Sequence, residues 1–255
     1  MDAKLRVDIR KWIEGRVINN HRWSEGLYSL QIEAPIEEFQ AGQFGRLGLV
    51  IDEALVGRPY SFVNGPGEWP LEFYFITVPG GPLSNRLTKL EPRASIWVAR
   101  KPAGFFTLSE LQDAESLWLL STGTALGPFL SILKTDEPWR RFPKIVLIHT
   151  VRKAEELTYR HLIQRFQDRY QDQFTMVPFV SREDYAPAIR GRVTEALKDG
   201  RLEDRVGVPL TADRSQVMIC GNPDMVRDTT ALLVDRGLKE NRRRDPGQIT
   251  TERYW

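Results

Sequence analysis

The sequence predicts a two-domain protein of the β + α/β class. Up to about residue 107, short apolar or alternating segments are separated by turn signals, whereas from about residue 113 apolar segments alternate with segments of helical spacing. The 255 residues suffice for two domains that each bury a core. We therefore expect a first domain over 1–110 and a second over 111–255.

The first half contains six strand-like segments. They are GRVINNHRW, YSLQIEAP, FGRLGLVID, RPYSFVNGPGE, LEFYFITVPGGP and ASIWVARKPAGFF. Segments spaced in this way predict an antiparallel barrel or sandwich. One stretch, GGPLSNRLTKL, carries Leu83, Leu87 and Leu90 at helical spacing, and it predicts a short helix that begins near Pro82 or Leu83.

The second half alternates apolar strands with helices. The strands are ESLWLLST, KIVLIHTVR, FTMVPFVS and SQVMICG, and the helices are GPFLSILKT, AEELTYRHLIQRFQDRY, RVTEALKDG and NPDMVRDTTALLVDRG. Continuously apolar strands indicate a sheet that is covered on both faces. We therefore expect a Rossmann-like parallel sheet flanked by helices.

Composition excludes several classes of protein. Hydrophobic residues make up 41% and charged residues 27%, and no apolar run approaches the roughly 18 to 20 residues of a membrane span. The first residues lack the pattern of a secretory signal, so we expect a cytoplasmic protein without a membrane partner. A net charge of +2 does not indicate nucleic-acid binding. We also expect a monomer.

The cysteine and histidine content argues against a metal site. Cys220 is the single cysteine, so neither a disulfide nor a thiolate-ligated metal centre can form within the chain. The three histidines, His21, His149 and His161, are scattered along the sequence. We expect no metal.

Basic residues are concentrated near the C-terminus, in the stretch RGLKENRRRDPG. It contains Arg236, Lys239, Arg242, Arg243 and Arg244. A solvated surface run is one interpretation, and a docking patch for an acidic partner or a phosphate is the other.

Ligands of open parallel sheets collect beyond the carboxyl ends of the strands. The first predicted strand ends in LLSTGTALGPF, where Gly123 and Gly127 relax the turn, Thr122 and Thr124 offer hydroxyls, and Pro128 suits a helix start. Backbone amides at that helix start favour an anion such as a pyrophosphate. The G-x-G-x-x-G fingerprint is absent, and a plain glycine-rich turn also explains these residues.

Three arginines follow the next strands. Arg152 ends the second strand, Arg182 ends the third and Arg192 follows shortly after. Each could be ordinary surface charge. Together at one sheet edge, where an enzyme specific for NAD would be expected to offer a carboxylate, they favour the 2′-phosphate of NADP(H).

The fourth strand ends in VMICGNPDMV. Cys220 and Gly221 lie at the point where a nicotinamide would enter, and Asn222 or Pro223 begins the helix. A buried free cysteine is also a common apolar filler, so this interpretation stays open.

These motifs together resemble the ferredoxin–NADP reductase family. RPYS, GPLS, STGTALGP, CGNP and an aromatic C-terminus occur in the family's order, and PAGFF, LSILK, HTVR, VSRE, CGNPDMVRDT and TERYW resemble its bacterial flavodoxin/ferredoxin–NADP reductases most closely. The resemblance covers essentially the whole chain. It implies a six-stranded antiparallel flavin-binding barrel with a small helix, an NADP-binding α/β domain, and a C-terminal tail that returns to the flavin.

The resemblance implies an FAD-dependent oxidoreductase. Hydride would pass between NADP(H) and FAD, and single electrons between FAD and ferredoxin or flavodoxin. We expect FAD to be held without a covalent link, because the single cysteine lies at the NADP edge and no histidine is near RPYS. A flavin reductase or ferric-chelate reductase on the same fold is the alternative, and a non-catalytic flavin-binding module is a third hypothesis.

The resemblance also implies which residues contact FAD. In the family, the matching arginine meets the pyrophosphate, the matching aromatic residue lies against the ring, and the matching serine lies near the reactive flavin nitrogen. The implied FAD contacts are Arg58, Tyr60, Ser61, Phe73, Ile76, Thr77, Gly81, Leu83, Ser84, Thr122 and Trp255.

The implied NADP contacts lie in the second domain. They are Thr122, Gly123, Arg152, Arg182, Arg192, Gly221 and Asn222. The resemblance gives catalytic roles to Ser61, Cys220 and Glu252. Thr251 stands where close relatives have alanine, on the side from which the nicotinamide would approach.

Overall fold

The computed structural model describes residues 7–253, and its first half is a six-stranded antiparallel sheet. The strands are β1 (Trp12–Ser24), β2 (Leu27–Glu33), β3 (Phe44–Ile51), β4 (Ala54–Ser61), β5 (Leu71–Ile76) and β6 (Ser95–Ala99). Their order is β4-β3-β6-β1-β2-β5. An antiparallel bridge between Phe62 and Phe73 brings the two outer strands together, so the sheet closes as a barrel.

The barrel closes around apolar side chains. Leu30, Ile32, Leu47, Phe62 and Phe73 have no exposed surface, and they belong to one cluster. Burial of this kind contributes roughly 1.5–3 kcal/mol per large side chain. The predicted short helix is α1 (Ser84–Leu87), which begins one or two residues later than expected.

The second half is a six-stranded parallel sheet. Its strands are β7 (Ser116–Thr122), β8 (Lys144–Val151), β9 (Phe174–Val180), β10 (Ile189–Arg190), β11 (Ser215–Gly221) and β12 (Ile249–Arg253), in the order β10-β9-β8-β7-β11-β12. The four predicted strands form the centre. Sequence reasoning missed both edge strands, because β10 has only two residues and β12 follows a polar stretch.

Helices cover both faces of this sheet. They are α2 (Leu126–Leu133), α3 (Glu137–Arg141), α4 (Arg160–Tyr170), α5 (Val193–Lys198), α6 (Arg201–Val206) and α7 (Pro223–Asp235). The helix predicted over AEELTYRHLIQRFQDRY is interrupted, because Tyr159 has a left-handed backbone with a φ of 54°. No helix of the described chain is long and apolar enough to cross a membrane.

The two sheets share a hydrophobic core. Leu27, Val63 and Tyr74 of the barrel half pack in the same cluster as Leu117 and Phe129 of the parallel-sheet half. Between β6 and β7 the chain is largely irregular, and the division at residue 110 stays a prediction. The shared core packs the barrel against the parallel-sheet half.

Candidate functional site

A cleft of about 370 Å³ lies where the barrel meets the parallel sheet. Barrel residues form most of its wall, and Thr124, Glu252 and Arg253 close it from the carboxyl ends of β7 and β12. A volume of this size is within the range of small-molecule sites.

The end of β4 supplies one wall through Arg58, Pro59, Tyr60 and Ser61. Strict alternation would send Tyr60 and Ser61 to opposite faces, but β4 ends at Ser61, and both residues line the cleft. Pro59 lies on β4, an outer strand of the sheet order, and outer strands are where sheets tolerate proline.

The chemistry of this wall is aromatic and cationic. The Arg58 guanidinium is exposed and donates to the carbonyl of Gly57 at 2.9 Å. Burial raises the pKa of Tyr60 to about 12, and the charge of Arg58 opposes that rise. Tyr60 therefore remains neutral over the physiological range and presents an aromatic ring beside a positive charge.

The GPLS turn forms the opposite wall. Gly81, Leu83 and Ser84 line the cleft, and the Ser84 hydroxyl accepts a 3.0 Å hydrogen bond from the N–H of Val78. The Asn85 amide donates to the carbonyls of Val78 and Gly81 at 3.0 and 2.9 Å. These bonds fix the shape of the turn, and a Cβ added to Gly81 would lie only 3.0 Å from the Val78 oxygen.

Three of the predicted FAD contacts do not line the cleft, and they stay predictions. Phe73 has no exposed surface and packs against Phe62 inside the barrel, 5.1 Å between ring centroids, so its side chain belongs to the core. Thr77 does not line the cleft, and its N–H is engaged by the carbonyl of Gly26. Thr122 is likewise absent from the wall, where Thr124 of the same turn lies instead.

Several wall residues were missed by sequence reasoning. Phe44, Pro59, Tyr74, Phe75, Val78, Pro82 and Arg253 line the cleft beside Ile76, which was predicted, and beside Thr124, which the sequence marked as a hydroxyl of the first strand's turn. Strand alternation assigns Tyr74 to one face of β5. It does not show which residues of that face lie at the end of the barrel, beside the cleft. Trp255 lies outside the described residues.

Glu252 lines the cleft from the end of β12. Its carboxylate Oε2 lies 3.9 Å from the Sγ of Cys220, which is fully buried on the neighbouring strand β11. Burial raises the pKa of Glu252 to about 7, and the contact with Cys220 opposes the rise. The carboxyl can therefore hold or release a proton near neutral pH. Cys220 itself does not line the cleft.

The sheet order reverses between β7 and β11, and this is the switch point at which parallel sheets bind nucleotides. The Thr122 hydroxyl accepts a 2.8 Å hydrogen bond from the N–H of Asn222 and so joins the two strand ends. The side chain of Asn222 in turn accepts bonds from the first N–H groups of α7, as an N-cap.

Two glycines shape this point of reversal. Gly123 has a φ of 55° and Gly221 a φ of 136°, values that disfavour residues with a Cβ. The buried His149 Nε2 lies 3.1 Å from the Gly123 carbonyl and must be the donor, since a carbonyl only accepts. No pattern in the sequence indicated this hydrogen bond between His149 and Gly123.

The three predicted arginines lie at the ends of adjacent strands. The N–H of Arg182 donates to the carbonyl of Arg152 at 3.0 Å, and Arg192 follows two residues after the end of β10, which pairs with β9. All three side chains are exposed, and within residues 7–253 none of them forms a salt bridge. They are a cationic edge, available to a phosphate.

The set of residues fits a ligand with a flat aromatic ring and phosphates. Tyr60 and Phe75 offer aromatic surface, Arg58 offers a charge, and the GPLS turn offers a fixed backbone. Among the described residues, no group of three or more His, Cys, Asp and Glu side chains could hold a metal ion.

Comparison with known proteins assigns the family. A flavodoxin/ferredoxin–NADP reductase of Shigella flexneri is 45% identical over 245 residues, which is 96% of this chain and 99% of the relative. The chain belongs to the ferredoxin–NADP reductase family. Another member, a ferredoxin–NADP reductase of Pseudomonas aeruginosa, is 36% identical over 93% of this chain and 95% of its own length.

Other comparisons agree with membership of the ferredoxin–NADP reductase family. The oxidoreductase NAD-binding domain matches residues 119–231. The crystal structure of a ferredoxin–NADP⁺ reductase from Neisseria gonorrhoeae with bound FAD and NADP superposes with a TM-score of 0.91 at 32% identity, over 96% of this chain and 99% of that one. The expected fold, a flavin-type barrel followed by a Rossmann-like parallel sheet, is thereby confirmed.

Proposed function

We propose that this protein is an FAD-dependent oxidoreductase that transfers hydride between NADP(H) and FAD and single electrons between FAD and a ferredoxin or flavodoxin. The observation that carries the proposal is the cleft itself, in which an aromatic and cationic barrel wall faces the switch point of a parallel sheet. Relatives with flavodoxin/ferredoxin–NADP reductase activity in their names match this chain over nearly its full length.

Bound FAD would supply the redox chemistry, by exchanging two electrons with a nicotinamide and one at a time with a carrier. The barrel residues bind and orient it. Arg58 suits the diphosphate because a guanidinium forms charge-assisted hydrogen bonds with phosphate oxygens. Tyr60 offers a ring face, and Ser61 and Ser84 present hydroxyls at the same cleft.

The parallel sheet would hold NADP(H). Arg152, Arg182 and Arg192 suit the 2′-phosphate, which NADP(H) has and NAD(H) lacks. Gly123, Gly221 and the Thr122–Asn222 pair form the turn on which the rest of the nucleotide would lie. We assign the domain over 1–110 to FAD and that over 111–255 to NADP(H).

Glu252 is the group that can hold a proton beside the transferred hydride. It lines the cleft, and its pKa of about 7 keeps both protonation states accessible at neutral pH. Cys220 packs behind it and shapes the approach without entering the cleft.

The carrier would dock on basic surface. Of the C-terminal cations, Arg236 is paired with Glu203 and Lys239 with Asp245, whereas Arg242, Arg243 and Arg244 are exposed and form no salt bridge within the described chain. The patch Arg242–Arg244 is therefore the part of the five-residue basic cluster that can attract an acidic carrier.

The decisive experiment begins with the purified protein. Its absorption spectrum and the cofactor released on denaturation should identify FAD, free of any covalent link. Stopped-flow mixing should then show faster reduction by NADPH than by NADH, followed by electron transfer to purified flavodoxin or ferredoxin.

The same experiment separates the alternatives. Rapid reduction of free flavins or ferric chelates, with neither carrier accepting electrons, would indicate a flavin or ferric-chelate reductase. Binding of FAD without oxidation of either nicotinamide would indicate a non-catalytic module.

A further inference from the structure

Two hydrogen bonds, one buried and one partly buried, connect β5 of the barrel to the segment between β8 and α4. The Thr158 hydroxyl donates to the hydroxyl of Tyr74 at 2.8 Å, and the Tyr159 hydroxyl donates to Oε1 of Glu72 at 2.6 Å. Thr158 and Tyr74 are each only 4% exposed. A buried polar group that loses its partner is costly, so both bonds are specific constraints.

The side chain and backbone of Tyr159 are held in place by their neighbours. Its ring packs between Trp23 and Tyr74, with centroid distances of 4.8 and 5.2 Å. Its backbone has a φ of 54°, a conformation that a side chain with a Cβ keeps only where neighbouring contacts enforce it. Burial and the charge of Glu72 raise the pKa of Tyr159 well above its usual value, so the donor stays protonated.

The linked segment is itself braced. It starts at Arg152, whose N–H donates to the Glu156 carboxylate at 2.7 Å, and it ends at Tyr159. The Arg160 guanidinium donates to the carbonyls of Leu157 and Ala154 at 2.9 and 2.8 Å. The segment therefore connects the start of the cationic edge to the barrel with little freedom between them.

The Thr158–Tyr74 bond differs from two other contacts between the two halves. Ser131 donates to the carbonyl of Asn64 at 2.8 Å, and Lys134 pairs with Glu68, but none of these four residues lines the cleft. Tyr74 does line it. A shift at Thr158 would therefore move the wall of the flavin cleft, whereas a shift at Ser131 would not do so directly.

We propose that Thr158 and Tyr159 are positioning residues for hydride transfer. Through their contacts with Tyr74 and Glu72, they hold the cationic edge at a fixed position relative to the cleft. The inference rests on the proposed function. Hydride transfer is sensitive to displacements of the reacting groups by an ångström or less, so loss of this fixed position should affect the chemical step more than nucleotide affinity.

The test uses FAD-loaded protein and three variants. Thr158→Val removes the donor at nearly constant shape, Thr158→Ser restores it, and Ser131→Ala removes a matched buried hydroxyl across the same interface. We expect Thr158→Val to slow flavin reduction at saturating NADPH by about tenfold or more, with the KM for NADPH within about twofold. It should also alter the visible circular dichroism of the bound flavin.

Thr158→Ser and Ser131→Ala should match the wild type in rate and in spectrum. The inference is overturned if Thr158→Val is as fast as the wild type, or if Ser131→Ala slows the reaction equally, since interface loosening alone would then be the cause. Tyr74→Phe, which keeps the ring at the cleft wall and removes the other hydroxyl of the same bond, provides the same comparison if Thr158→Val does not fold. A wild-type protein that carries no FAD would instead overturn the proposed function, and this inference with it.

Discussion

At the scale of single residues, the chemistry of the site depends on which charged groups are buried and which are exposed to water. Glu252 is a carboxyl beside a fully buried thiol, and the exposed arginines of the cationic edge have no carboxylate partners in the described chain. The first arrangement makes a proton available near neutral pH, and the second leaves positive charge available to a phosphate.

The pKa of Glu252 predicts how stability depends on pH. The folded chain holds this proton more tightly than the unfolded chain, because the pKa rises from 4.5 to about 7 on burial. The wild type should therefore lose stability relative to Glu252→Gln as the pH rises from about 4.5 to about 7, by on the order of 3 kcal/mol in total.

Urea unfolding of both chains at about pH 5 and about pH 8, with FAD in fixed excess, measures this difference. Taking the difference between the two chains cancels the other titrating groups. A stability difference that does not change between the two pH values would contradict the raised pKa.

The arginines predict cofactor specificity. Replacing Arg182 and Arg192 by alanine should raise the KM for NADPH by about tenfold or more and leave the KM for NADH within about twofold, because only NADPH loses a charge-assisted contact. Arg190→Ala is the matched control, since Arg190 lies on β10 beside them but is paired with Asp184. An equal rise for both cofactors would sink the assignment.

At the scale of elements, the strand ends at the switch point are shaped by close backbone contacts. Gly221 ends β11 directly beside Thr122 of β7, and a Cβ built on Gly221 would lie 2.0 Å from the Thr122 hydroxyl oxygen. That hydroxyl is the acceptor for the N–H of Asn222. Glycine is therefore required at position 221, because the φ disfavours any residue with a Cβ and because the Thr122 side chain occupies the space of that Cβ.

Gly221→Ala should destabilise the fold and weaken NADPH binding together. The matched control is Gly200→Ala, which also has a positive φ, of 83°, but would meet nothing within 4 Å. The control should cost about 1–2 kcal/mol of stability and leave the KM for NADPH unchanged. Thermal unfolding and NADPH kinetics separate the two effects, and the steric argument fails if both variants behave alike.

At the scale of the whole molecule, the net charge of +2 conceals a local basic surface. The patch Arg242–Arg244 is exposed and free of salt bridges within residues 7–253. Electrostatic attraction of an acidic carrier would act at a distance and would be screened by salt.

The rate of carrier reduction should therefore fall as ionic strength rises. Replacing Arg242, Arg243 and Arg244 by glutamine should lower that rate at low salt and flatten its salt dependence, with flavin reduction by NADPH unchanged. Replacement of Arg16, Lys89 and Lys101, three exposed cations of the barrel half, controls for net charge. If the control set has the larger effect, the carrier docks elsewhere.

Sequence reasoning reached much of the fold and of the site. The four central parallel strands are continuous apolar runs, and Arg58, Tyr60, Ser61, Gly81, Leu83 and Ser84 were predicted and do line the cleft. These residues belong to short motifs whose chemistry is local. The edge strands were missed because β10 has only two residues and β12 follows a polar stretch, so neither gives a periodic signal.

The sequence by itself determined the order of the elements and the kinds of side chain at each strand end, because periodicity and turn chemistry are properties of neighbouring residues. Only the tertiary structure decided that Phe73 is core and Tyr74 is wall, that Glu252 lies against Cys220, and that Thr158 reaches Tyr74. These outcomes depend on how a barrel closes and on which residues far apart in the chain are buried together, and no local pattern records either.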